Sequence, residues 1–155
     1  MAPIRERRFH LTIGSRFENI ELVQMTVDEI LTEEGVAEDL RHWIGLALRE
    51  AVANAIKHGN RLDPGKKVDI EVGLAEEALE IRVIDQGEGF DPDRVRDPLA
   101  PENRFRGDGR GIFYMKRFMD EVSYSFGSEG GTVVTLRKQL RTGPEESSET
   151  SGSER

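Results

Sequence analysis

The sequence predicts a two-layer α/β sandwich: a mixed, mostly antiparallel sheet of about five strands with helices on one face. Three observations carry that expectation. Short runs in which apolar and polar residues alternate recur along the chain, and other segments space their apolar residues three and four apart, the repeat of an amphipathic helix. The third is length, because 155 residues suit one domain with a real core.

Residues 1–8 read as an N-terminal arm, and 9–141 as the folded domain. Phe9, Leu11 and Ile13 alternate with polar neighbours and predict a first strand ending at Gly14. From Phe17 to about Glu34, Ile20, Val23, Val27, Ile30 and Leu31 take helical spacing, and Gly35 closes the segment. The central helix runs from Asp39 to His58, with Leu40, Trp43, Ile44, Ala47, Leu48, Ala51, Val52, Ala55 and Ile56 on its apolar stripe and Gly59 as its stop. Its solvent face is expected at Arg41, His42, Arg49 and Lys57. Residues 61–66 (RLDPGK) form a turn. Val68, Ile70, Val72 and Leu74, then Leu79, Ile81 and Val83 after a charged turn, predict two antiparallel strands. From Asp91 to about Arg110, Pro92, Pro98 and Pro101 interrupt a charged stretch that reads as a lid or an insertion. Helical spacing returns at Ile112, Met115, Phe118 and Met119, alternation at Val122, Tyr124 and Phe126, and GGTVVTLRKQL gives a last strand. Residues 142–155 lack aliphatic and aromatic side chains and read as a disordered acidic tail.

Composition narrows the function. The chain has no cysteine, which excludes disulfides and thiolate metal sites. A net charge of −8 argues against sequence-independent nucleic-acid binding, which needs a cationic surface. No signal-type leader follows Met1, and no apolar run approaches the ~18 residues of a membrane span. The expectation is a cytoplasmic protein without membrane or direct nucleic-acid contact.

Three motifs stand out. On the central helix Glu50, Asn54 and His58 form a polar line along the margin of the apolar stripe, where polar groups need partners, either a neighbouring loop or a ligand. Asp85-Gln86-Gly87-Glu88-Gly89 ends a strand; its glycines permit a tight turn or the close approach of a flat ligand, and its first carboxylate can accept from an exocyclic amine. Gly107-Asp108-Gly109-Arg110-Gly111 leads into a helix start, as a flexible hinge or as a phosphate cradle, with Arg104, Arg106, Lys116 and Arg117 nearby. Neither the phosphate-loop nor the dinucleotide fingerprint is present.

The order of these motifs, E-x-x-x-N-x-x-x-H, D-x-G-x-G, a long loop, G-x-G-x-G and a final G-T, resembles the Bergerat-fold ATPases. Within that group EAVANAIKHGN, DQGEGFDP and GRGIFYMKRFMDEVSY look most like the anti-sigma factor serine-protein kinases. The resemblance implies an ATP-binding serine/threonine kinase that uses Mg²⁺. Asn54 would ligate the Mg²⁺ and Glu50 would serve as general base. Asp85 would take the adenine amine, with Gly87 and Gly89 in the same loop and Thr132 holding the base through its hydroxyl. Gly107, Gly109, Arg110 and Gly111 would wrap the phosphates under a lid at 91–110, and His58 would either reach the phosphates or cap the helix.

The implied partners are an anti-anti-sigma protein of the STAS type, as substrate, and a sigma factor held when that partner is scarce. Family members are often homodimers. Where relatives carry a sigma-contacting arginine on the first helix, the nearest positions here are Gln24 and Met25. The chain shows no phosphoacceptor hairpin around His10 or His42, so a complete sensor histidine kinase is not expected. The alternative is an ATP-sensing module without kinase activity that switches a phosphatase or another regulator by lid closure.

Overall fold

In the computed structural model residues 6–88, 115–127 and 130–140 are described. Five strands, β1 (Arg7–Gly14), β2 (Lys67–Ala75), β3 (Ala78–Ile84), β4 (Glu121–Phe126) and β5 (Thr132–Gln139), form one sheet in the order β1-β2-β3-β5-β4. All four pairings are antiparallel, where the sequence left room for a mixed sheet. Two helices, α1 (Glu18–Glu33) and α2 (Glu38–Asn54), separate β1 from β2.

The period-two pattern sorts the sheet into an apolar and a charged face. Val68, Ile70, Val72, Leu79, Ile81, Val83, Val134 and Leu136 join Val23, Val27, Ile44, Leu48, Val52 and Ile56 of the helical segments in one core. The other face carries ion pairs, Arg82 with Glu71 at 3.0 Å and Arg137 with both Glu80 at 2.9 Å and Glu121 at 3.1 Å. Ladder pairing begins at Arg7 opposite Leu74, two residues before the alternation starts at Phe9. Backbone pairing needs no apolar side chain, and the Arg7 guanidinium is held by Glu34 and stacks over Phe9.

Helix α1 ends as its sequence predicts. Gly35 is left-handed at φ 77°, its N–H donates to Thr32 and that of Val36 to Leu31, a Schellman closure with Val36 buried beneath it. Helix α2 starts without a side-chain cap but with Glu38 and Asp39 in its first turn, where their charge favours the helix dipole. Two expectations for α2 differ from the structure. Arg41 is turned back on α1, donating to Asp28 at 3.0 Å and to the Val36 carbonyl at 2.7 Å, so it is not a solvent-face residue. Trp43 lies on the margin of the stripe, 43% exposed, because a broad ring there stacks on Phe118 at 4.6 Å between centroids. Phe118 belongs to the helical residues 115–118. No helix among the described residues is long and apolar enough to cross a membrane.

The β2–β3 turn places Glu76 and Glu77 at φ 51° and 68°, left-handed at both central positions as a type I′ hairpin requires. Side chains other than Gly and Asn are costly there. Replacing the pair by Asn-Gly is expected to raise unfolding free energy by about 1 kcal/mol, read by urea denaturation. Asp120 precedes β4 and clamps β5, accepting from the Gln139 N–H at 2.7 Å and from the Lys138 ammonium at 3.0 Å. The backbone bond first, then Lys138, holds its carboxyl below the usual range. Its contribution is therefore present above the ordinary carboxylate pKa and lost as pH falls through the lowered one. The stability gap between wild type and Asp120→Asn should be full at neutral pH and close in acid, measured by denaturation across pH.

Candidate functional site

Helix α2 carries Glu50 and Asn54 one turn apart on the same side, both half-buried. Among the described residues neither side chain has a hydrogen bond or ion pair. After Asn54 the helix widens into a π-helical turn, Ala55–Gly59, in which the Asn60 N–H donates to the Ala55 carbonyl at 2.8 Å. Such widened turns recur at functional sites. The expected α-helix to His58 thus gives way to the π-helical turn four residues early. His58 is exposed and takes part in an interaction of its own.

The chain leaving β3 meets this turn. Asp85 is 6% exposed. Its Oδ1 accepts from the backbone N–H groups of Gly87 at 2.9 Å and Thr132 at 3.0 Å, and its own N–H donates to the Thr132 carbonyl at 3.1 Å. Two amide donors fix one carboxylate oxygen and offset its burial. The other, Oδ2, has no protein partner among the described residues. One oxygen is locked by two amides and the other lies against Gly59.

Three glycines make that geometry possible. A Cβ on Gly59 would overlap the Asp85 carboxylate, one on Gly87 the Gly59 carbonyl, and one on Gly131 the Asp85 carbonyl. Gly131 belongs to the β4–β5 turn, closed by the Gly127 N–H donating to Gly131 at 2.6 Å, with Gly130 left-handed at φ 98°. Thr132, expected to act through its hydroxyl, engages Asp85 through both of its backbone groups; the hydroxyl makes no hydrogen bond among the described residues.

Asn60 is fully buried and ties the surrounding segments together. Its amide donates to Ser15 Oγ and to the Lys67 carbonyl, both at 2.9 Å, and its Oδ1 accepts from the Gln86 N–H at 2.7 Å. Sequence reading singled out neither Asn60 nor Gly59 and Gly131 as site residues. The signals lay in the HGN and GGT runs, each placing a glycine beside a polar residue at the end of an element.

The expected phosphate-cradle residues Gly107, Gly109, Arg110 and Gly111, the lid at 91–110, and Gly89 lie outside the described residues. For a cation, the Asn54 side-chain oxygen is a hard donor without a competing intramolecular bond. No group of three or more His, Cys, Asp or Glu among the described residues could hold a metal ion. Of the two positions nearest the relatives' sigma-contacting arginine, Gln24 is committed to α2 through a bond to the Gly45 carbonyl at 3.1 Å, while Met25 is exposed.

The family model of the histidine kinase-like ATPase domain matches residues 13–138. The chain is 33% identical over 132 residues to the anti-sigma F factor of Oceanobacillus iheyensis, covering 84% of this chain and 90% of that one. It is 28% identical over 136 residues to the serine-protein kinase RsbW of Bacillus subtilis, covering 84% of each. Among solved structures, the RsbU and RsbW domains of Rv1364c from Mycobacterium tuberculosis share its fold, with a TM-score of 0.64 at 23% identity. The match covers 86% of this chain and 32% of that one, so the chain spans about a third of that longer polypeptide.

Gly131→Ala should destabilise the protein by roughly 3 kcal/mol, since the added methyl meets backbone that cannot turn aside. Gly45→Ala, with open space around the new carbon, should stabilise α2 by up to about 1 kcal/mol. Thermal denaturation of the two variants checks the contrast.

Proposed function

The chain belongs to the anti-sigma factor serine-protein kinase family of histidine kinase-like ATPases, and on that premise we propose that it binds ATP with Mg²⁺ against the Glu50–Asn54 side of α2. It transfers the γ-phosphoryl group to a serine of an anti-anti-sigma partner, and holds a sigma factor when unphosphorylated partner is scarce. The reading includes a cytoplasmic location and a homodimer.

The observation that carries it is the half-committed carboxylate of Asp85. Its bound oxygen is fixed by Gly87 and Thr132, and its Oδ2, without a partner among the described residues, would accept from the exocyclic amine of adenine. Guanine presents a carbonyl at the corresponding position and would meet that oxygen with repulsion. Asn54, without a side-chain bond among the described residues, would supply one oxygen to the cation, whose chemistry when bound is to neutralise phosphate charge. Glu50, one turn earlier and equally uncommitted, would accept the proton of the attacking serine hydroxyl. The backbone N–H groups of the glycine run at 107–111 would hold the phosphates, with Arg110 alongside and His58 close to that region.

The test is phosphotransfer from labelled ATP to a serine of an anti-anti-sigma protein, with phosphosite mapping. Glu50→Gln should lower the transfer rate by about 100-fold or more while leaving ATP affinity within a few-fold. Equal transfer by the variant would remove Glu50 as the base. Binding of ATP that tightens partner binding with no phosphate transferred would make the protein a nucleotide-gated switch instead.

A further inference from the structure

We propose that Asn60 is the positioning residue that sets base selectivity, by fixing the loop that carries Asp85; the inference rests on Asp85 being the base-reading group. Asn60 touches no part of the proposed ligand. It acts through the backbone of Gln86, the residue next to Asp85.

The amide is placed where only an amide satisfies every neighbour. The Gln86 N–H can only donate and the Lys67 carbonyl can only accept, so the side chain must present its oxygen to one and its nitrogen to the other. The second amide hydrogen goes to Ser15 Oγ, whose own O–H donates to the Lys66 carbonyl at 2.7 Å. The Gln86 side chain adds a further tie, accepting from the Lys67 N–H at 2.6 Å. The end of β1, the start of β2, the exit of β3 and the π-helical turn therefore converge on one buried side chain.

Remove that side chain and the Gln86 N–H and the Lys67 carbonyl lose their partner inside the protein. Among the described residues Gln86 is then anchored only by its exposed side chain, so Gly87, which follows it and donates to the Asp85 carboxylate, loses its fixed position. Asp85 keeps its charge but loses a fixed direction for Oδ2. A wandering acceptor discriminates poorly between a base that offers an amine and one that does not.

The experiment compares equilibrium binding of ATP and inosine triphosphate, which differs from ATP at the six position of the base, where a carbonyl replaces the amine. The ratio of the two affinities is the readout, because a partly unfolded variant weakens both equally and leaves the ratio unchanged. Wild type should prefer ATP by about tenfold or more, and Asn60→Ala should bring the preference to within about threefold. A wild type that binds the two alike sinks the assignment of Asp85 as base reader. A wild type that discriminates, beside an Asn60→Ala protein that discriminates as well, overturns the role of Asn60 and leaves Asp85 standing. Should Asn60→Ala fail to fold, Ser15→Ala removes one arm of the network, and it should at least halve the preference; an unaltered preference there is equally decisive against the proposal.

Discussion

The site depends on the burial of one carboxylate. Asp85 sits at a strand exit where three stretches of backbone come close enough to exclude a β-carbon, and it is tolerable there because two amide N–H groups meet one of its oxygens. Glycine at 59, 87 and 131 is a consequence of that placement. So is the short route from β5 back to Asp85, since Thr132 both donates to the carboxylate and accepts from its backbone.

The rest of the molecule keeps this junction still. The helices and the inner sheet face share one apolar core, while the outer face is occupied by charges paired with each other. Exposed pairs of that kind add little stability, so the apolar side bears most of it. Asn54 and Glu50 lie where the core gives way to solvent, half-buried and without side-chain partners among the described residues. A helix anchored by Ile44, Leu48 and Val52 can hold two such groups in place without engaging them.

Much of this was legible in the chain itself. Alternation located β2 and β3 closely, since Val68, Ile70, Val72, Leu74, Leu79, Ile81 and Val83 are all buried. It was weaker for β1, an edge strand whose Phe9, Leu11 and Ile13 are only half-buried. Helical periodicity found α2 but could not show the π-helical turn after Asn54, because one widened turn shifts phase without disturbing the apolar spacing before it. The same limit placed Arg41 outside and Trp43 inside, for their contacts come from α1 and Phe118, elements distant in the chain. Asp85 was singled out by its motif. Asn60 was not, because nothing in the spacing distinguishes an asparagine that ends a helix from one that joins four segments.

Trp43 is the chain's one tryptophan, and it stacks on Phe118 with His42 edge-on at 5.1 Å. An indole half open to solvent, lodged between α2 and the helical residues that carry Phe118, is an optical reporter supplied by the protein itself. Emission from this ring will register any repacking of that turn against α2, with no dye attached and no second tryptophan to blur the signal.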